Sequence, residues 1–110
     1  MLPGFFAAAG NDAVEEWRAF LAARPADAAD ALAALDWLGE RGPSSIPDED
    51  RDRMGMPDLY CRQRAEWGVF YTVSGAGRGP WAVTVLLVVN FAVTPVNPAA
   101  NEAKRRKALL

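Results

Sequence analysis

The sequence predicts an α+β fold: a short N-terminal strand, an αα-hairpin packed on an antiparallel sheet of about four strands, and a short basic C-terminal helix. Three observations predict it. Between Val14 and Leu38, apolar residues recur three and four apart, the helical spacing. Residues 59–91 then hold three β-type runs, separated by a very short gap and one Gly/Pro turn. Finally, 110 residues with 51% hydrophobic content build one core but not two, so residues 1–110 form a single domain.

The elements follow in order. Residues 3–8 read as the first strand, with Phe5 and Phe6 as its bulk, broken by Gly10 and Asn11. Asp12 and Glu15 have the N-cap and N3 spacing that starts a helix. Val14, Trp17 and Leu21 make its buried stripe, with Phe20 beside it. Arg24-Pro25 ends that helix, because the residue before proline is pushed out of the helical region. Pro25 opens the second helix, whose stripe is Ala28, Leu32, Leu35 and Leu38. Ala31 and Ala34 allow close approach, and Gly39 and Gly42 are the stop signals.

Residues 43–57 read as a loop with three prolines, Gly55 and the mixed-charge run DEDRDR, expected to be solvated. Met54 and Met56 are expected to anchor that loop on the core. Three strands follow, at 59–64, 67–73 and 81–89. Ala65-Glu66 is short enough for a tight hairpin and GAGRGP supplies the next turn, which makes these strands antiparallel. Tyr60, Arg62 and Arg64 share one side of their strand; Trp67, Val69, Tyr71 and Val73 share one side of the next. The third run, rich in Val and Leu, has the composition of a central strand. Asn97-Pro98 starts the last helix over 99–109, with Lys104, Arg105, Arg106 and Lys107 matched to the dipole at its end.

Composition removes several chemistries. There is no histidine, so a Ser-His-Asp triad, a Cys-His pair and the usual zinc site are excluded within these residues. The lone Cys61 rules out an internal disulfide and reads as a small core residue. GAGRGP joins strand to strand and lacks the lysine and following helix of a phosphate loop. No metal site or cofactor is expected. The start MLPGFFAAAG lacks a basic n-region, and the longest apolar run is far short of the ~20 residues of a membrane helix, so a cytoplasmic protein is expected. The net charge of −2 is unevenly spread: residues 1–59 carry 5 Lys/Arg and 12 Asp/Glu, and residues 60–110 carry 7 and 2. A basic sheet half suits phosphates or an acidic partner, and equally suits a fold whose solvated helices happen to be acidic.

The segments FFAAAGNDAVEEWRAFL, ALDWLGERG, LYCRQR, WGVFYTV, VTVLLVVNF and TPVNPAANEAKRR stand in an order that resembles the RelE/ParE toxin superfamily, in particular its HigB-like, phage-derived branch. That branch carries an αα-hairpin ending in L..L.E.G, an LYELR strand, a YRVFY strand, a hydrophobic strand ending near a Phe, and a Pro-containing basic segment. The resemblance implies a toxin of a type II toxin–antitoxin system, neutralised by a cognate antitoxin. It also implies metal-independent, ribosome-dependent mRNA cleavage, with the ribosome and mRNA as further partners.

On that resemblance, Arg62 and Arg64 would hold the scissile phosphate and Tyr71 or Tyr60 would assist proton transfer. Lys104, Arg105, Arg106 and Lys107 would contact RNA. Two departures stand against it. The YRVFY arginine is replaced by Gly68, and the lysines after the last strand's Phe become Ala92, Val93 and Thr94. The alternative is a catalytically silent binding module on the same fold, acting through a protein partner. Read without the resemblance, both arginines fit an exposed strand face or partners for Glu66 and the acidic loop, and the tyrosines fit half-buried sheet positions with solvated hydroxyls.

Overall fold

The computed structural model describes residues 6–8, 11–50, 58–74 and 81–109. Its elements are β1 (Phe6–Ala8), α1 (Asn11–Ala23), α2 (Pro25–Arg41), β2 (Tyr60–Arg64), β3 (Trp67–Ser74), β4 (Ala82–Asn90) and α3 (Val96–Ala108). Two 3-10 turns, Pro43–Ser45 and Asp48–Asp50, lie between α2 and β2. The fold is α+β, with three helices on a sheet ordered β1-β4-β3-β2.

The strands β2, β3 and β4 are antiparallel, as the hairpin spacing predicts. Ala65 takes the left-handed conformation (φ 53°) that the two-residue turn needs. The first strand corrects the expectation of an all-antiparallel sheet: β1 runs parallel to β4, Phe6 opposite Val83 and Ala8 opposite Val85. Parallel pairs need a long crossover, and the chain between β1 and β4 supplies one.

The α1–α2 hairpin covers one face of the sheet. The buried line of α1 is Ala13, Trp17 and Phe20, four and three residues apart; Phe20 stacks on Trp67 at 5.2 Å between ring centroids. Leu21, expected in this stripe, is 48% exposed. It lies ~100° around the helix from Phe20, off the sheet side. Asp12 falls in the first turn of α1 rather than at its cap, because the helix runs from Asn11. In α2, Pro25 takes the opening position and Ala28, Ala31, Leu35 and Leu38 are buried. Gly39 does not stop the helix: it lies buried within α2, and its carbonyl accepts from the Trp81 N–H at 2.8 Å. Gly42 does stop it, with φ +84° and the Trp81 indole where a Cβ would stand.

On the other face, α3 lays Ala99, Ala100 and Ala103 over Cys61, Phe70, Leu86 and Leu87. A bulge lets one strand serve both faces. Pairing steps from Phe70↔Leu87 to Tyr71↔Val85, leaving Leu86 with no opposite residue. Leu86 and Leu87 therefore both join the α3 side, while Val85 and Val88 join the hairpin side. The last helix begins at Val96, earlier than expected, since Pro98 in its first turn forfeits no hydrogen bond.

The DEDRDR run departs from expectation in part: Asp48 and Glu49 are exposed as expected, and residues 51–53 lie outside the described residues. Asp50, its third residue, is only 2% exposed and is tucked against the sheet. Met54, Gly55 and Met56, the GAGRGP turn and residues 3–5 of the expected first strand lie outside the described residues.

Candidate functional site

Strand alternation places Tyr60, Arg62 and Arg64 on the hairpin face of β2, and β3 brings Tyr71 beside them. Tyr60 stands directly opposite Tyr71, Arg62 opposite Val69, and Arg64 opposite Trp67. The two tyrosine rings lie 5.6 Å apart. All four residues assigned a catalytic role from the resemblance are thus neighbours.

They are not an open cationic face. Asp30 of α2 turns its Oδ2 between the two arginines, 2.7 Å from Arg64 Nε and 3.5 Å from Arg62 Nη2. Asp50 lies deeper, with Oδ2 3.5 Å from Arg62 Nη1. The Tyr71 hydroxyl donates to that same oxygen at 2.7 Å. Glu49 Oε1 reaches Arg64 Nη2 at 4.0 Å. The Arg62 side chain is 11% exposed, and its buried Nε meets no acceptor among the described residues. Tyr71 is fully buried, which corrects the expectation of a half-buried ring with a solvated hydroxyl.

The protonation states follow from this geometry. The Arg64 hydrogen bond, opposed by partial desolvation, holds the Asp30 carboxyl below its usual range. Burial pushes the Asp50 carboxyl up; the Tyr71 hydrogen bond and the Arg62 charge pull against it. Burial, then its bond to Asp50, drives the Tyr71 phenol far above its ordinary value. Tyr71 is therefore a fixed donor at neutral pH, not a base.

The basic end of α3 is divided. Arg106 Nη1 and Nη2 donate to Glu16 of α1 at 2.8 and 2.9 Å, Nε donates to Glu102 at 2.7 Å, and Nη1 also donates to the Leu86 carbonyl at 2.9 Å. Glu16 Oε1 accepts the Val88 N–H as well. This group closes the edge of β4 beyond the short β1. Arg105 is bonded to Glu102. Glu102 is held down at about 2, first by Arg105 and then by Arg106. Lys104 is exposed and Lys107 half-buried. Beside the brace, an open cleft of about 500 Å³ is lined by Trp67, Leu87, Val89 and Val93.

The two departures from the family pattern also have a place. A Cβ on Gly68 would stand 2.5 Å from the Phe91 ring and 3.2 Å from Cys61 Sγ. Phe91, packed edge-on against Phe70, occupies the space a side chain would need there. Val93 and Thr94 sit in a turn whose N–H groups both reach the Asn90 carbonyl.

Sequence reasoning missed Asp30, Glu16 and Glu102; Asp50 and Glu49 belong to the acidic loop that it offered as a partner for the arginines. Only Glu102 left a signal, four residues before Arg106 on one helix face. The other partners come from distant segments. Among the described residues no group of three or more Cys, Asp or Glu side chains could hold a metal ion, and no helix is long and apolar enough to cross a membrane. No family model, curated protein or solved structure matches this chain.

Proposed function

We propose that this chain is the toxin component of a type II toxin–antitoxin pair, built on a RelE/HigB-like fold, cytoplasmic, and neutralised by a cognate antitoxin protein. The observation that carries the reading is the element order: strand, helical hairpin, three antiparallel strands and a last helix ending in basic residues. The activity is ribosome-dependent mRNA cleavage without a metal. Arg62 and Arg64 neutralise charge developing on the scissile phosphate. Tyr60, the half-buried tyrosine of the pair, moves the proton, since Tyr71 is engaged by Asp50. Lys104, Arg105 and Lys107 meet ribosomal RNA, while Arg106 stays in its brace.

A second reading is a catalytically silent binding module that works through its protein partner. The ion pairs on Arg62 and Arg64, and the Phe91 ring over Gly68, favour it. A translation assay separates the two. Wild-type protein is expected to halt translation with cleaved transcripts, and Arg64→Ala to abolish both effects. Full translation with intact transcripts sinks the nuclease. A stable complex with the product of an adjacent small reading frame, without toxicity, then selects the binding module.

A further inference from the structure

The Arg62–Arg64 group differs from an ordinary ion-pair network in how it is filled. One carboxylate oxygen, Asp30 Oδ2, stands between two guanidinium groups. That is the position a non-bridging phosphate oxygen takes when two arginines share it. Among the described residues Arg62 is under-coordinated: both terminal nitrogens meet their carboxylates only at 3.5 Å, and the buried Nε has no acceptor. A flat guanidinium offers five donors, so most of this one's capacity is unmet. Arg64 is 29% exposed and Asp30 half exposed, so solvent reaches the group from the α2 side. Among the described residues, three carboxylates (Asp30, Glu49 and Asp50) stand against the two arginines, a balance that disfavours an anion.

We propose that Asp30 and Asp50 are an intramolecular clasp occupying a phosphodiester site made by Arg62 and Arg64, and that single-stranded RNA engages the pair when Asp30 is displaced. The inference rests on the reading of these arginines as phosphate-binding residues and adds how they are held closed. Asp30 is the movable half, because it sits on an exposed helix face with one half-exposed carboxylate. Asp50 is the fixed half, buried and bonded to Tyr71.

The test measures binding, independent of ribosomes and cleavage. The full chain is titrated into a fluorescein-labelled oligouridylate at low salt and followed by anisotropy. Asp30→Asn is expected to bind about tenfold tighter than wild type, the scale of one recovered charge-assisted contact. That gain disappears in Asp30→Asn/Arg64→Ala. Asp27→Asn, the same charge change on the same helix but paired to Arg24, leaves the affinity at the wild-type value. Equal affinities for wild type and Asp30→Asn overturn the clasp, as does a gain that survives loss of Arg64 or is matched by Asp27→Asn. Asp30 is half exposed, so its substitution leaves the core intact. Tighter binding without transcript cleavage keeps the clasp and discards the nuclease.

Discussion

Arg106 and Arg62 are both largely buried, 12% and 11% exposed at the side chain, yet they are opposite kinds of residue. Every nitrogen of Arg106 has a short partner: two on Glu16, one on Glu102, and the Leu86 carbonyl besides. Those bonds tie α1, β4 and α3 together around an open sheet edge, where Leu86 and Val88 expose backbone groups that β1 is too short to pair. Arg62 has long contacts and an orphaned nitrogen. The lesson is that burial of a cation does not state its role; the completeness of its hydrogen bonding does. A satisfied guanidinium is a brace, and an under-filled one keeps the donors that the proposed phosphate site needs.

The sharpest way to break that contrast is at Arg106. Arg106→Ala takes the charged partner from Glu16 and the donor from the Leu86 carbonyl, leaves Glu102 with Arg105 alone, and should cost about 3 kcal/mol in urea unfolding, as expected for breaking a largely buried pair. Little loss of stability would make Arg106 available to RNA after all.

Next in size is Gly68→Ala. The new methyl group meets the Phe91 ring, and overpacking of this kind costs about 1–3 kcal/mol. The Phe91→Ala background should remove most of that penalty in a double-mutant cycle read by thermal unfolding. Tyr71→Phe should cost about 1–2 kcal/mol, because Asp50 loses its short donor and keeps only Arg62. A neutral result there would mean that the Asp50 turn is not held by this bond.

The pH response sets Asp50 apart from Glu102 and Asp30 by sign. Glu102 is lowered from an ordinary 4.5 to about 2. Its stabilisation is present above the ordinary value and lost as pH falls through the folded one. Asp30 has the same sign, and Asp50, raised by burial, the opposite: its neutral form is favoured, so its contribution fades as pH rises. Unfolding free energy should therefore drop between about pH 5 and pH 2, and Glu102→Gln should flatten the drop. An unchanged slope in that variant would move the acid sensitivity to Asp30. The smallest effect is that of Asp30→Asn on stability. A half-exposed pair is worth about 0.5 kcal/mol, so a much larger loss would make Asp30 a brace like Glu16.

Much of the fold was legible. The Pro25 start and Gly42 stop of α2, the Ala65-Glu66 turn, and the shared side of Tyr60, Arg62 and Arg64 all follow from local backbone preference and strand alternation. What was not legible has one physical origin. Helical spacing allowed either Leu21 or Ala13 into the buried line of α1, and only the position of the sheet chose Ala13. DEDRDR is locally a solvated run, and only the approach of Tyr71 and Arg62, each from the middle of another strand, buried Asp50.

By itself, then, the sequence determined which residue types share a strand or helix, because side-chain direction repeats with backbone period. It set Tyr60, Arg62 and Arg64 on one side of β2 and Tyr71 on one side of β3, and strand pairing made these the same side of the sheet. The tertiary structure decided what faces them. Asp30 and Glu16 come from helices that are distant in the chain, and no period along one segment encodes a contact between two. The bulge at Leu86, which gave Arg106 a carbonyl to hold, is likewise a property of strand pairing.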